Sequence, residues 1–151
     1  MESAPAYSGA MSPLVIGHRG ASGSRPEHTA SAYRLAIAQG ADAVEPDIVL
    51  SRDGALVIRH ENEIGTTTDV SEHPEFAGRR TTRVVDGVER TGWFTVDFAW
   101  HEPATPTSRE RLPDIRPTKA VFDRPEPILR PIDVPGLSLE PDRDPPACSL
   151  V

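Results

Sequence analysis

The residues best suited to chemistry lie in the first half of the chain. Glu45 and Asp47 are separated by a single residue in a strand-like segment. Because side chains alternate along a strand, both carboxylates lie on one face, about 7 Å apart. Placing two carboxylates together is energetically costly without a hard divalent cation beside them, so the pair indicates a cation site. The alternative interpretation is that both side chains lie on the solvated face of an edge strand. His18, Arg19 and His60 complete the set. Cation-binding carboxylates, a phosphate-binding guanidinium and two imidazoles acting as general base and general acid favour phosphate ester hydrolysis.

The segments around these residues predict a strand–helix–strand unit. Residues 14–16 form a short apolar run that suits a strand buried on both faces. Thr29 is a good N-cap for a helix over residues 30–39, and residues 43–50 read as a second strand. This order indicates a parallel sheet and an α/β fold, in which functional residues follow the C-terminal ends of strands.

A hairpin is predicted after the second strand. Asp53 and Gly54 lie between apolar runs, which is a strong signal for a tight turn. If these two residues are the centre of a two-residue turn, His60 lies directly opposite Asp47 and shares its face. The hairpin would therefore bring an imidazole back to the carboxylate pair.

Four motifs resemble the glycerophosphodiester phosphodiesterase family in order and spacing. They are the HRG-like segment 18–21, the PENT-like segment 26–29, the E-x-D segment 45–47 and the His-Asp-like pair 60–61. The resemblance implies the N-terminal portion of a TIM (β/α)8 barrel of the phospholipase-C-like phosphodiesterase type. It also implies dependence on Ca²⁺ or Mg²⁺, and hydrolysis of glycerophosphodiesters to glycerol 3-phosphate and an alcohol.

Carried over to this sequence, the resemblance assigns roles to individual residues. His18 and His60 would be the catalytic pair and Arg19 the phosphate contact. The metal ligands would be Glu45 and Asp47, with Glu27 as an additional candidate. We find no counterpart for the family's third metal-ligating glutamate.

Three residues depart from the family pattern. His28 replaces the usual Asn of the PENT motif, Glu61 replaces the usual Asp after the catalytic histidine, and Thr66 stands where an Arg is common. The substitutions at 28 and 61 keep polarity and lengthen the side chain. They therefore bear on the geometry of the site and leave the reaction class as expected.

The chain divides by composition into three parts. We expect a flexible N-terminus over residues 1–13, a partial phosphodiesterase domain over 14–98 and an irregular proline-rich tail over 99–151, because 11 of the 16 prolines lie from Pro103 onward. No helix is predicted just after residue 98. A barrel of this type needs about 250 residues, so the domain is expected to be incomplete. The tail is either natural disordered sequence or, as the single lysine against 15 arginines suggests, out-of-frame translation of a high-GC gene.

Composition excludes several classes of function. The net charge of −7 argues against a nucleic acid partner, and no apolar run approaches the roughly 20 residues of a membrane span. Cys148 is the sole cysteine, so an intrachain disulfide and a cysteine zinc cluster are excluded. We expect a small-molecule glycerophosphodiester as partner and a cytoplasmic location, since no signal peptide is seen, although long family members are often periplasmic or secreted. The oligomeric state stays open.

Three functions compete on this evidence. The first is a metal-dependent phosphoric diester hydrolase of the glycerophosphodiester type. The second is a catalytically inactive, truncated remnant, and the third is a related lipid phosphodiesterase of the phospholipase C or D type. The PENT-like segment 26–29 favours the first over the third.

Overall fold

The computed structural model describes residues 13–103, 105–117 and 126–134, and the backbone of residues 149–150. Within these residues the strands form a three-stranded sheet and two hairpins, and they do not close a barrel. Residues 1–12 of the predicted flexible N-terminus lie outside the described part, and so does Cys148. No helix among the described residues is long and apolar enough to cross a membrane.

The predicted strand–helix–strand unit is present. Strand β1 (Ile16–His18) leads through a loop to helix α1 (Ala30–Ala38), and strand β2 (Ala43–Glu45) follows. The two strands pair in parallel, with His18 opposite Glu45. A parallel β–α–β unit of this kind is the basic step of an α/β barrel.

The first strand differs from its prediction in position and in burial. It lies two residues further along the chain than the predicted 14–16, so His18 is its last residue instead of following it. Leu14 and Val15 are 74% and 58% exposed, which contradicts a strand buried on both faces. Within β1, Ile16 is 47% exposed, while Gly17 lies against Ala36 of the following helix, so the strand is covered on one face only.

Helix α1 forms where its cap and its apolar spacing predict it. The Thr29 hydroxyl accepts a hydrogen bond from the amide of Ala32 at 3.1 Å, which satisfies one amide of the first turn. Tyr33 and Ala36 lie one turn apart and are buried against β2. Gly40, with a φ of 89°, follows the last turn in a left-handed conformation.

Gly20 lets the loop after β1 pass close to helix α1. Its φ is 82°, and a Cβ atom added there would lie 2.7 Å from the carbonyl carbon of Ala32. A side chain would therefore clash with helix backbone, which cannot rotate away as a flexible side chain can. The glycine fixes the approach of the loop that carries Arg19.

We expect Gly20→Ala to destabilise the chain by more than about 2 kcal/mol, because backbone strain and a backbone clash add at this position. The matched control is Gly54→Ala, where φ is also positive at 78° but no atom lies within 4 Å of the added Cβ. Urea unfolding followed by circular dichroism measures both. Equal destabilisation by the two substitutions would show that the close approach to α1 contributes nothing.

The second predicted strand is interrupted. Instead of one strand over residues 43–50, the chain forms β2 and then β3 (Ile48–Leu50), with Pro46 and Asp47 between them. Proline has no amide hydrogen to donate to a neighbouring strand, so regular pairing stops there. β3 pairs with strand β4 (Leu56–Ile58) as an antiparallel hairpin.

The register of this hairpin differs from the prediction by one residue. Ile48 pairs with Ile58, and Ser51 donates its amide to Ala55 at 3.0 Å, so the turn holds three residues instead of two. Three-residue turns that end in a left-handed glycine, here Gly54, are a common alternative. As a result His60 is not opposite Asp47: the residue there is Arg59, whose amide donates to the Asp47 carbonyl at 3.1 Å.

A second hairpin lies in the region after the first. Strands β5 (Thr81–Val85) and β6 (Val88–Gly92) are joined by Asp86 and Gly87, both with positive φ, at 51° and 77°. This hairpin is not among the predicted elements, although its Asp-Gly pair is the same signal that predicts the first one. Residues downstream of it, including Phe98, form a second apolar cluster with Ile64, Val70 and Phe76.

Some of the described residues beyond residue 98 pack against the rest of the fold. The described residues of the stretch 99–108 contain no helix, as expected. Leu129 and Val134 are buried in the same cluster as Tyr33, and Leu129 accepts a hydrogen bond from the amide of Ile58 at 2.9 Å. Strand β7 (Ser149–Leu150) pairs in parallel with β2. A turn of 3₁₀ helix (Pro131–Asp133) and strand β7 thus lie within the tail predicted to be irregular, while the domain boundaries and the frameshift hypothesis stay predictions.

Candidate active site

The ends of β1 and β2 bring three potential metal ligands together. His18, Glu45 and Asp47 each offer one ligand atom, and these atoms lie within 4.8 Å of one another. The parallel pairing of His18 with Glu45 creates this proximity, and the break after Glu45 leaves Asp47 beside them. The interrupted strand thus preserves the convergence that an unbroken strand was expected to give.

The donor set is suited to a divalent cation. One carboxylate oxygen of Glu45, Oε2, is buried and has no hydrogen-bond partner among the described residues, and it lies 3.6 Å from Nε2 of His18. A buried carboxylate oxygen without a donor is costly, and a cation at this position would compensate it. The two carboxylates are oxygen ligands that hard divalent ions prefer, with water completing the coordination, and the imidazole of His18 lies beside them.

Arg19 lies against two carboxylates at the start of the loop after β1. Its Nη1 donates to Oε2 of Glu27 at 3.1 Å, and its Nε lies 3.0 Å from Oδ2 of Asp47. Its φ is 60°, an uncommon conformation for a residue other than glycine. The backbone turns sharply at this position, and the guanidinium lies beside the carboxylate of Asp47.

His28 is fully buried beneath the same carboxylates. Its Nδ1 is 2.9 Å from the Tyr33 hydroxyl, and its Nε2 is 3.2 Å from Oδ2 of Asp47. Burial, aided by the nearby charge of Arg59, lowers the pKa of His28 to about 4. A neutral imidazole at this position orients Asp47. Its φ of 60° suits the residue types Asn, Asp and His, which is why His28 can replace the usual Asn.

His60 is held by its neighbour in sequence. Nδ1 of this half-exposed imidazole lies 2.9 Å from Oε1 of Glu61. Arg111 donates from Nη1 to the same oxygen at 2.5 Å. Burial raises the pKa of Glu61, but the hydrogen bonds from Arg111 and His60 outweigh it and lower that pKa to about 2. The carboxylate is therefore charged and fixes which ring nitrogen of His60 faces it.

The carboxylate of Glu27 accepts hydrogen bonds from two guanidinium groups. Oε1 accepts from Nη2 of Arg111 at 2.5 Å and from Nε at 3.0 Å, while Oε2 accepts from Arg19. Burial raises the pKa of Glu27, and the two arginines more than offset it. The structure thus places Glu27 between two arginines, outside the group of metal-ligand atoms found among the described residues. A metal-binding role for it stays a prediction.

A cleft of about 510 Å³ opens beside His60. Its walls include the apolar side chains of Val49, Leu50 and Val96, and Arg90 from the second hairpin. The cleft gives a small molecule access to the imidazole from the side of the two hairpins.

Comparisons with known proteins show the family to which this chain belongs. The family model described as the glycerophosphoryl diester phosphodiesterase family matches residues 18–127. The chain belongs to this family. Its members are phosphodiesterases whose structures are TIM barrels, so the predicted fold class, the N-terminal portion of such a barrel, is confirmed. The family match extends beyond residue 98, where the predicted domain ends.

Curated members of the family are similar over part of their length. The chain is 46% identical over 101 residues to glycerophosphodiester phosphodiesterase GDPD6 of Arabidopsis thaliana, covering 67% of this chain and 27% of that protein. It is 35% identical over 89 residues to glycerophosphodiester phosphodiesterase of Haemophilus influenzae, covering 59% and 22%. The chain therefore spans about a quarter of the length of these relatives.

Solved structures of the family share the fold of the described residues. A phosphodiesterase of Oleispira antarctica, in complex with the product sn-glycerol-3-phosphate, superimposes with a TM-score of 0.57 at 26% identity, covering 83% of this chain and 39% of that one. The glycerophosphodiester phosphodiesterase of Agrobacterium tumefaciens gives a TM-score of 0.53 at 22% identity, covering 80% and 40%. The second match supports the fold alone.

Proposed function

We propose that this chain carries the metal-binding and acid–base half of a phosphoric diester hydrolase that releases glycerol 3-phosphate from glycerophosphodiesters. The observation that carries the proposal is the convergence of the ligand atoms of His18, Glu45 and Asp47 within 4.8 Å at the ends of two parallel strands. The product complex of the Oleispira phosphodiesterase supports the choice of product.

The cation at this site is proposed to be Ca²⁺ or Mg²⁺. Glu45 and Asp47 supply carboxylate oxygens, which these hard ions prefer. Bound there, the ion would neutralise charge on the phosphate oxygens. With two carboxylates from this part of the chain, water must supply many of the remaining ligands, and binding is expected to be weak.

The protein groups divide the proton transfers between them. One histidine accepts a proton from the attacking water, whose oxygen bonds to phosphorus, and the other donates a proton to the alcohol oxygen as its bond to phosphorus breaks. His60 has its Nδ1 directed at Glu61, so its Nε2 is the atom available for proton transfer. Arg19 faces the carboxylates of this cluster and is placed to bind a phosphate oxygen. The cleft beside His60 accommodates the alcohol.

The proposal is tested by glycerol 3-phosphate release from glycerophosphocholine, with Ca²⁺, with Mg²⁺ and with EDTA. His18→Ala and His60→Ala are each expected to lower the rate by about 10²- to 10⁴-fold, the usual contribution of a general acid or base. The control is His101→Ala, since His101 is exposed in a turn outside the cluster.

Three outcomes would contradict the proposal in different ways. A folded chain that releases no glycerol 3-phosphate with either ion would favour the inactive remnant. Metal-dependent release that survives both His18→Ala and His60→Ala would show that the acid–base roles belong to other residues. Faster hydrolysis of a lysophospholipid than of glycerophosphocholine would favour the lipid phosphodiesterase.

A further inference from the structure

We propose that Arg111 is a positioning residue that fixes the two sides of the active site relative to each other through one guanidinium group. Its partners, Glu27 and Glu61, come from different loops, one before helix α1 and one after strand β4. The expected effect on kcat rests on the proposed function, whereas the expected effect on the orientation of His60 is independent of catalysis. Arg111 itself comes from the described segment 105–117, which the sequence analysis did not connect to the site.

Each nitrogen of the guanidinium group contacts one of the two carboxylates. Nη2 and Nε donate to Glu27 at 2.5 and 3.0 Å, and Nη1 donates to Glu61 at 2.5 Å. The planar, five-donor fork of arginine can hold two carboxylates in a fixed relation, which the single ammonium of a lysine does less well. The side chains are 23%, 11% and 28% exposed for Arg111, Glu27 and Glu61, so these ion pairs are more shielded from water than ordinary surface pairs.

The two carboxylates pass this constraint on to residues assigned to the chemistry. Glu27 also accepts a hydrogen bond from Arg19 at 3.1 Å, and Arg19 lies 3.0 Å from Asp47. Glu61 lies 2.9 Å from Nδ1 of His60. Arg111 thus contacts both the carboxylate that orients the imidazole of His60 and the carboxylate that orients the guanidinium of Arg19.

Removal of Arg111 would release Glu61 and would leave Glu27 held by Arg19 alone. Glu61 has several rotatable bonds and no other guanidinium partner among the described residues, so it would spend less time against His60. The imidazole of His60 would lose its fixed orientation, while the carboxylates of Glu45 and Asp47 and the nearby His18 would keep their arrangement. Arg19 would keep its contacts with Glu27 and Asp47, so the expected defect is larger in the chemical step than in substrate binding.

The test compares Arg111→Met and Arg111→Lys with Arg109→Met. Arg109 is the matched control, because it lies two residues away and makes a bidentate pair with Glu72, at 2.7 Å for both contacts, outside the site. We expect Arg111→Met to lower kcat by about 10- to 100-fold with KM changed less than about threefold, as for other groups that orient catalytic ligands. Arg111→Lys should recover part of kcat, and Arg109→Met should leave both constants unchanged.

A readout without turnover separates this proposal from the proposed function. In the ¹⁵N-histidine-labelled chain, we expect the imidazole signals of His60 to move in Arg111→Met toward those of the exposed His101, and to stay in place in Arg109→Met. An unchanged His60 spectrum in folded Arg111→Met overturns the positioning role, whether or not the chain is active. If Arg111→Met does not fold, the same comparison is made with Arg111→Lys, where an unchanged spectrum together with unchanged kcat overturns it.

Discussion

Asp47→Asn is expected to weaken divalent-cation binding by at least about tenfold. The substitution removes a charge from the group formed by His18, Glu45 and Asp47, whose ligand atoms lie within 4.8 Å of one another. Charged oxygens dominate the affinity of hard cations, and few protein ligands are present to compensate the loss. A ligand that binds only the folded state raises its stability by about 2.7 kcal/mol at 100 times its dissociation constant. Thermal unfolding at increasing Ca²⁺ or Mg²⁺ concentration therefore measures the effect. The rise in Tm seen for the unsubstituted chain should be smaller or absent in Asp47→Asn.

The control for this experiment is Asp86→Asn, which makes the same chemical change in an exposed turn where asparagine also tolerates a positive φ. Glu45→Gln is the second variant, because Asp47 also contacts Arg19 and His28 and its loss disturbs more than the metal group. A cation-dependent rise in Tm that persists in both Asp47→Asn and Glu45→Gln would place the cation elsewhere.

Phe98→Ala is expected to lower the free energy of unfolding by about 3–5 kcal/mol. Phe98 is fully buried, packs edge-on against Phe76 with ring centroids 5.3 Å apart, and lies under the guanidinium of Arg79 at 5.1 Å. Truncation leaves a cavity that the surrounding loops can fill only in part, and it removes an aromatic pair and a cation–π contact. Urea unfolding followed by tryptophan fluorescence measures the change, since Trp93 packs against this cluster.

The contrasting substitution is Val84→Ala on strand β5, where the side chain is 68% exposed. A change there is expected to stay within about 0.5 kcal/mol. If Phe98→Ala were equally mild, the second apolar cluster would not be part of the cooperative fold, and the region of the second hairpin would unfold separately.

The parts of the fold that local sequence determines were predictable. Thr29 as cap, Gly40 at the end and the apolar spacing between them specify helix α1 within one residue. The parallel unit follows from the order of its elements, and it suffices to bring His18 to Glu45. These features depend on contacts within a few turns of the chain.

The features that the sequence did not predict depend either on a one-residue difference in hairpin register or on contacts between residues far apart in sequence. A turn of three residues instead of two exchanges Arg59 for His60 opposite Asp47, and the pattern of the flanking strands allows both. Arg111 reaches Glu27 across 84 positions of sequence, and the residues around it show no periodicity that would predict the contact. The motifs identify Glu27 and Glu61 as acidic residues of the site, but no sequence pattern near either residue predicts that they share Arg111 as a partner.

The packing of residues 126–134 determines the shortest piece of this chain that can fold as described. Leu129 supplies the acceptor for the amide of Ile58, and with Val134 it covers the side of the core formed by Tyr33 and Val44. A protein expressed only to residue 98 would leave that amide without its acceptor and would expose the underside of helix α1 to water. A boundary for expression therefore belongs beyond Val134, although the motifs that identify the family end much earlier.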